Sequence, residues 1–140
     1  MFMPEINPLA VLAAATANVV MGAMWYNAPF MFNRVWLANI GKTAAQVQAD
    51  FSILKLLVAV IGALVIAVIL AVFIAWAEAD TLLKGALVGG LAAIGFSAAT
   101  SGIKGAFEGR PLTLWLINAG HDIVTLVIMG ALLGLWHPWI

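Results

Sequence analysis

Four long apolar runs, at about residues 8–28, 53–76, 81–104 and 112–136, alternate with short polar stretches along the chain. Each supplies the roughly 20 apolar residues that carry an α-helix across a bilayer. Residues 29–40 are too short to span, and they mix Phe30, Phe32, Val35, Trp36 and Ile40 with Asn33, Arg34 and Asn39, which predicts a helix lying in the membrane interface. Gly41 stops that helix. Thr43 with Gln46 forms a capping-box pattern, expected to open a helix that climbs through Asp50, Ser52 and Lys55 into the second span. Glu78-Ala79-Asp80 reads as a tight turn, and Gly105–Pro111 as a return that places Pro111 at a first helical position. The expected fold is all-α: one integral membrane domain over residues 1–140, a four-helix bundle with a short interfacial helix between spans one and two.

Small residues mark the faces on which these helices meet. Ala10, Ala14, Asn18 and Gly22 recur at four-residue steps in the first span, and Gly85, Gly89, Ala93, Ser97, Ser101 and Gly105 do so in the third. Such stripes let membrane helices approach closely, so Gly85, Gly89, Ala93 and Ser101 are expected to serve packing. Each step of four overshoots a full turn by about 40°, so the early and late halves of the third stripe should face different neighbours. The second span is almost uniformly Leu, Val, Ile and Ala, which marks it as the lipid-facing helix.

Composition sharpens the class. Of 140 residues, 65% are hydrophobic and 9% charged, against about 25% charged in soluble domains, so the lipid bilayer is the first partner. The formal net charge of zero removes the electrostatic basis for nucleic-acid binding. Cysteine is absent, which excludes disulfides, thiolate metal sites and thiol catalysis. Met1–Pro8 lacks the basic start of a secretory signal, so no cleaved leader is expected. Arg34, Lys42, Lys55, Lys104 and Arg110 gather on one side and only Lys84 on the other, so the positive-inside rule places both termini outside. Trp25, Tyr26, Arg34, Trp36, Arg110, Trp115 and Trp136 are expected as interface anchors, and the chain is expected to finish at an aromatic interface over His137–Ile140.

The chemistry concentrates in Ile-Asn-Ala-Gly-His-Asp-Ile-Val-Thr, residues 117–125, where Asn118, His121, Asp122 and Thr125 make one side of an apolar helix polar. At about 1.5 Å per residue, Asp122, Asn18 and Ser97 all fall near the bilayer midplane. Asn18, Ser97, Asn118, His121 and Asp122 therefore form a candidate polar cluster, with two readings. They line a pocket or relay in which Asp122 titrates and His121 carries protons or ligates, or they are a satisfied interhelical network that sets packing and oligomer register. Adjacent helical positions diverge by about 100°, so His121 and Asp122 are not expected to address one partner. Lys104 lies too near the edge to pair with Asp122. No metal site is expected: His137 is at the opposite edge from His121. No catalytic residue is assigned, since neither a Ser-His-Asp nor a phosphate-loop pattern occurs, and no cofactor is specified.

Gly22-Ala-Met-Trp-Tyr-Asn-Ala-Pro29, Phe32-x-x-x-Trp36 with Gly41-Lys42, Phe107-Glu-Gly-Arg-Pro111, and Leu116-Ile-Asn-Ala-Gly-His121 followed by Met129-Gly130-Ala131 and Trp136 resemble a small bacterial membrane family, domain of unknown function seventeen sixty-one. That resemblance implies a four-span bundle in a bacterial inner membrane and carries over no catalytic residues. It leads one to expect a Tyr or similar residue before a His in the last motif, where this sequence has His121-Asp122. The expected role is a structural or accessory subunit that self-associates or joins hetero-subunits in a larger membrane complex. The alternative is a small oligomeric transporter or proton-linked channel around Asp122.

Overall fold

The computed structural model of the chain describes residues 3–136. The first helix, α1 (Pro8–Asn27), opens with Pro8 in its first turn and Asn7 as its cap, the Asn7 carboxamide oxygen accepting from Leu9 N at 2.9 Å. The short helix expected in the interface, α2 (Asn33–Ile40), starts four residues later than the sequence pattern implied, because Pro29–Phe32 forms turns, and Gly41 ends it at φ 68°, where a side chain would be strained. The capping box forms, with Gln46 N donating to Thr43 Oγ1 at 3.2 Å and Thr43 N to Gln46 Oε1 at 2.9 Å. The helix it opens, α3 (Ala44–Ala49), does not run on into the span as expected. Asp50 is drawn back to Lys42, 2.7 Å away, and extended Ser52 starts α4 (Ile53–Trp76) afresh by accepting from Lys55 N. Short polar side chains that bond locally favour caps over helix interiors. The Lys42 ammonium holds the exposed Asp50 carboxyl below the usual carboxylate range.

A tight turn follows, with Glu78 at φ 50° and Thr81 capping Lys84 N, and Lys84 pairs with Asp80 at 2.7 Å. The third span is continuous over Leu82–Phe107 but not uniformly α-helical. It comprises α5 (Leu82–Ala92), a π-helical turn over Ala93–Ala98, and α6 (Ala99–Phe107). The last helix, α7 (Leu112–Leu135), follows Pro111, which occupies the cap itself rather than the first helical position. Residues Pro8–Asn27, Ile53–Trp76, Leu82–Phe107 and Leu112–Leu135 give four helices long and apolar enough to cross a membrane. The expected aromatic finish at His137–Ile140 lies outside the described residues.

α7 is the centre of the bundle, packed on α1, on α5 and the π turn, and less on α4 and α2. The closest approach is between α5 and α7: a methyl group on Gly85 would collide with the Gly130 carbonyl, one on Gly89 with the Leu126 carbonyl, and one on Gly134 would stand 2.5 Å from Thr81 O. Only hydrogen fits there, so the two backbones touch. The third span does not divide its small residues between two neighbours, as the four-residue arithmetic implied. Buried Gly85, Gly89, Ala93 and Ala98 follow α7 along the span, with a step of five between Ala93 and Ala98, and Gly105 lies beside Arg110. The wider turn, with its i→i+5 bonding, takes up the extra residue and cancels the drift. The carbonyl of Ala98 at its end accepts from Trp115 Nε1 at 3.0 Å and Ser101 Oγ at 3.1 Å, and Gly102 leaves room for that indole.

α4 is lipid-facing over only part of its length. Residues 53–61 are all exposed, whereas Ala63, Ala67, Leu70, Ala71 and Ile74 join Ala10, Val11, Ala14, Met129 and Leu133 in the core. Burying about 0.8 kcal/mol per CH2 does not drive this contact in lipid; close packing of alanines does.

Candidate intramembrane cavity

The six acidic residues of the chain include a single one within the body of a spanning helix, Asp122. Its carboxylate takes a hydrogen bond from Ser97 Oγ at Oδ2, and Oδ1 lies 3.0 Å from His121 Nδ1. The π turn brings Ser97 to this contact while keeping Ala93 and Ala98 packed on α7. With Asp122 ionised, the proton of the second contact belongs to His121 Nδ1, an assignment that follows from the hydrogen-bond pattern. The 100° offset between the two residues is therefore bridged by their side chains, contrary to the expectation that they would act apart.

His121 is held from α1. Its ring lies 5.2 Å from that of Tyr26 and 5.9 Å, edge to face, from that of Trp25, and a methyl on Gly22 would stand 3.7 Å from Nε2. Trp25, expected at the headgroups, is 8% exposed, and its indole donates to Ile117 O at 3.1 Å. The ring lies against Gly120 of α7, in ordinary contact distance of where a methyl group would stand. Tyr26 is likewise partly turned inward, donating to Asn118 Oδ1 at 2.8 Å, with the tilted ring of Trp36 5.0 Å away. Arg34 and Arg110 are exposed, Arg110 paired with Glu108 at 2.6 Å, and Trp136 is 46% exposed. Trp115 is committed to the π turn.

Beside Asp122 lies a cavity of about 400 Å³ between α4, the π turn and α7, with α1 behind it. Its floor carries Asn18, Ser97, His121, Asp122 and Thr125, and its walls are Val65, Ile66, Ile69, Leu70, Phe73 and Phe96. The sequence cluster is thus divided. Asn18, Ser97, His121 and Asp122 meet at the cavity, with Asn18 Nδ2 also 3.4 Å from the Met129 sulfur, while Asn118 is bonded to Tyr26 and is not part of the lining. Thr125 belongs to the site and was visible as part of the polar side of α7. The apolar wall from α4 carries no sequence signal of its own, because it reads as any lipid-facing run.

Two buried polar atoms here lack a hydrogen-bond partner, His121 Nε2 and Thr125 Oγ1, and Thr125 is 1% exposed. Buried polar groups are nearly always paired, and an unmet one costs about 1–3 kcal/mol. The arrangement offers a hydroxyl, an imidazole nitrogen and a carboxylate at the end of an apolar chamber, the usual composition of a small-molecule site.

The chain belongs to the family described as protein of unknown function (DUF1761), whose model matches residues 9–134. No curated protein and no solved structure matches it.

Proposed function

We propose that this protein binds a small, mainly apolar molecule within the membrane, at the cavity beside Asp122, and belongs to the transporter class of small membrane proteins rather than to the enzymes. The observation that carries this reading is the buried, unpartnered Thr125 hydroxyl on the floor of an apolar-walled chamber. Beside it, the Asp122 carboxylate would cost on the order of 3 kcal/mol at membrane depth on insertion scales, and such a group is retained where it works. Ser97 and His121 fix the orientation of the carboxylate. The positive-inside rule gives the orientation we propose, with the α2–α3 end in the cytoplasm of a bacterial inner membrane and both termini outside.

Asp122→Asn tests the reading. Interhelical hydrogen bonds in membranes average about 0.6 kcal/mol, so the variant should keep its assembly state and melting temperature within a few degrees, while a species retained by the unaltered protein in native mass spectrometry is lost. A variant that falls apart would mean that the cluster is structural.

The accessory-subunit reading has one observation in its favour. Residues 53–61 of α4 are exposed around their whole circumference, and a partner helix or a second copy would fit there as well as lipid. Recovery from the native membrane in fixed ratio with other polypeptides would establish it.

A further inference from the structure

We propose that the occupant of the cavity is a lipophilic cation, an apolar body bearing one ammonium group, which enters sideways from the bilayer between α4 and the π turn. The proposal rests on the binding role given to the cavity above. Charge supplies the first argument. Asp122 has no Lys or Arg to balance it: Lys55, Lys84 and Lys104 stand at span ends, and among the described residues the acid's only ion-pair partner is His121. With its proton on Nδ1 toward Asp122, His121 leaves Nε2 as a buried acceptor with no partner.

An uncompensated carboxylate in a low-dielectric chamber is costly, and a bound ammonium offsets that cost with charge-assisted hydrogen bonds. Its N–H groups find acceptors in the carboxylate and in the unpartnered Thr125 hydroxyl. An anion finds none of this: no Lys or Arg lines the cavity, and the lining backbone is helical, with its N–H groups engaged. A neutral hydrocarbon would leave both Asp122 and Thr125 unanswered. The walls suit the apolar body, and the rings of Phe73 and Phe96, 6.3 Å apart, give a cation two faces at the cavity's edge.

The side entrance follows from exposure. Among the lining residues Thr125 and Leu70 are buried, whereas Phe96 is 72%, Val65 57% and Ile69 49% exposed. These exposed residues belong to the middle of α4 and of the third span, where acyl chains surround the protein. The chamber therefore opens on lipid, and its ligand must partition into the bilayer first.

The test uses the full chain in lipid nanodiscs and two probes of matched shape, 1-adamantanamine and 1-methyladamantane, with protein-free nanodiscs subtracting partition into lipid. Equilibrium dialysis should show the amine bound at least about tenfold more tightly than its uncharged counterpart, a difference the carboxylate supplies. The preference should vanish in Asp122→Asn and survive in Asp122→Glu. Equal binding of both probes overturns the cation and leaves the cavity as an apolar site. Binding of neither overturns the cation and the binding role together. Because the comparison of probes is made on the unaltered chain, a variant that fails to fold does not obscure it.

Discussion

The third span meets α7 in two contrasting ways within about 25 Å of helix. Over Leu82–Ala92 the contact is backbone on backbone, glycine against glycine, with no space for a methyl group. Over Ala93–Ala98 the helix widens into a π turn, and a cavity with a polar floor opens on its α4 side. One pair of helices thus supplies both a backbone-tight joint and the polar floor of the cavity. The first makes the second possible: a helix pair locked at one end holds Ser97 and Asp122 in register at the other. π turns concentrate at functional sites because the extra residue re-aims side chains without ending the helix.

Breaking the joint should have the largest effect. In Gly89→Leu the new side chain starts inside the Leu126 carbonyl, and backbone cannot yield as a flexible side chain does. Overpacking on this scale costs about 3 kcal/mol, so thermal unfolding in detergent, followed by tryptophan fluorescence, should move well below the unaltered protein. An unchanged melt would remove α5–α7 contact as the organising joint.

Relaxing the π turn should cost less. Trp115→Phe deletes the indole N–H that bonds Ala98 O, a loss of about 1 kcal/mol. Amide hydrogen exchange should quicken over residues 93–103 and stay unchanged over 82–92. Uniform quickening along the span would mean that joint and turn open together, which would erase the contrast between them.

The smallest change in stability is expected at the cavity floor. Thr125→Val keeps the shape and removes a buried hydroxyl with no partner, so the melting temperature should hold or rise slightly, by the equivalent of at most about 1 kcal/mol. A fall would show the hydroxyl to be bonded within the protein and would favour the packing account of the cluster.

Much of the architecture was legible because it follows from local rules. Apolar runs of spanning length must satisfy their own backbone, and that alone dictates the helices. Thr43 with Gln46, and Gly41, marked their caps because each bonds within a few residues. Gly85 and Gly89 were legible as contact residues, but their partner was not named: Gly130 and Gly134 have the same four-residue spacing on α7, and that was the available signal. Trp25 misled, since a tryptophan near a span end reads as a headgroup anchor until the Ile117 carbonyl is placed beside it. Asn118 misled for a related reason. It shares the polar side of α7 with Asp122, but Tyr26 claims it.

By itself, then, the sequence determined a four-span helical membrane protein, the ends of most of its elements, and the placing of one acid within the body of the last span, because hydrophobic length, capping and helical rise act over a few residues at a time. Tertiary structure alone decided that α7 is the hub, that a π turn resets the face of the third span, and that Ser97, His121, Asp122 and Thr125 share a cavity with the apolar wall of α4. Those outcomes turn on which surfaces of distant helices fit together, and on contacts of small energy each, which no single helix carries in its own residues.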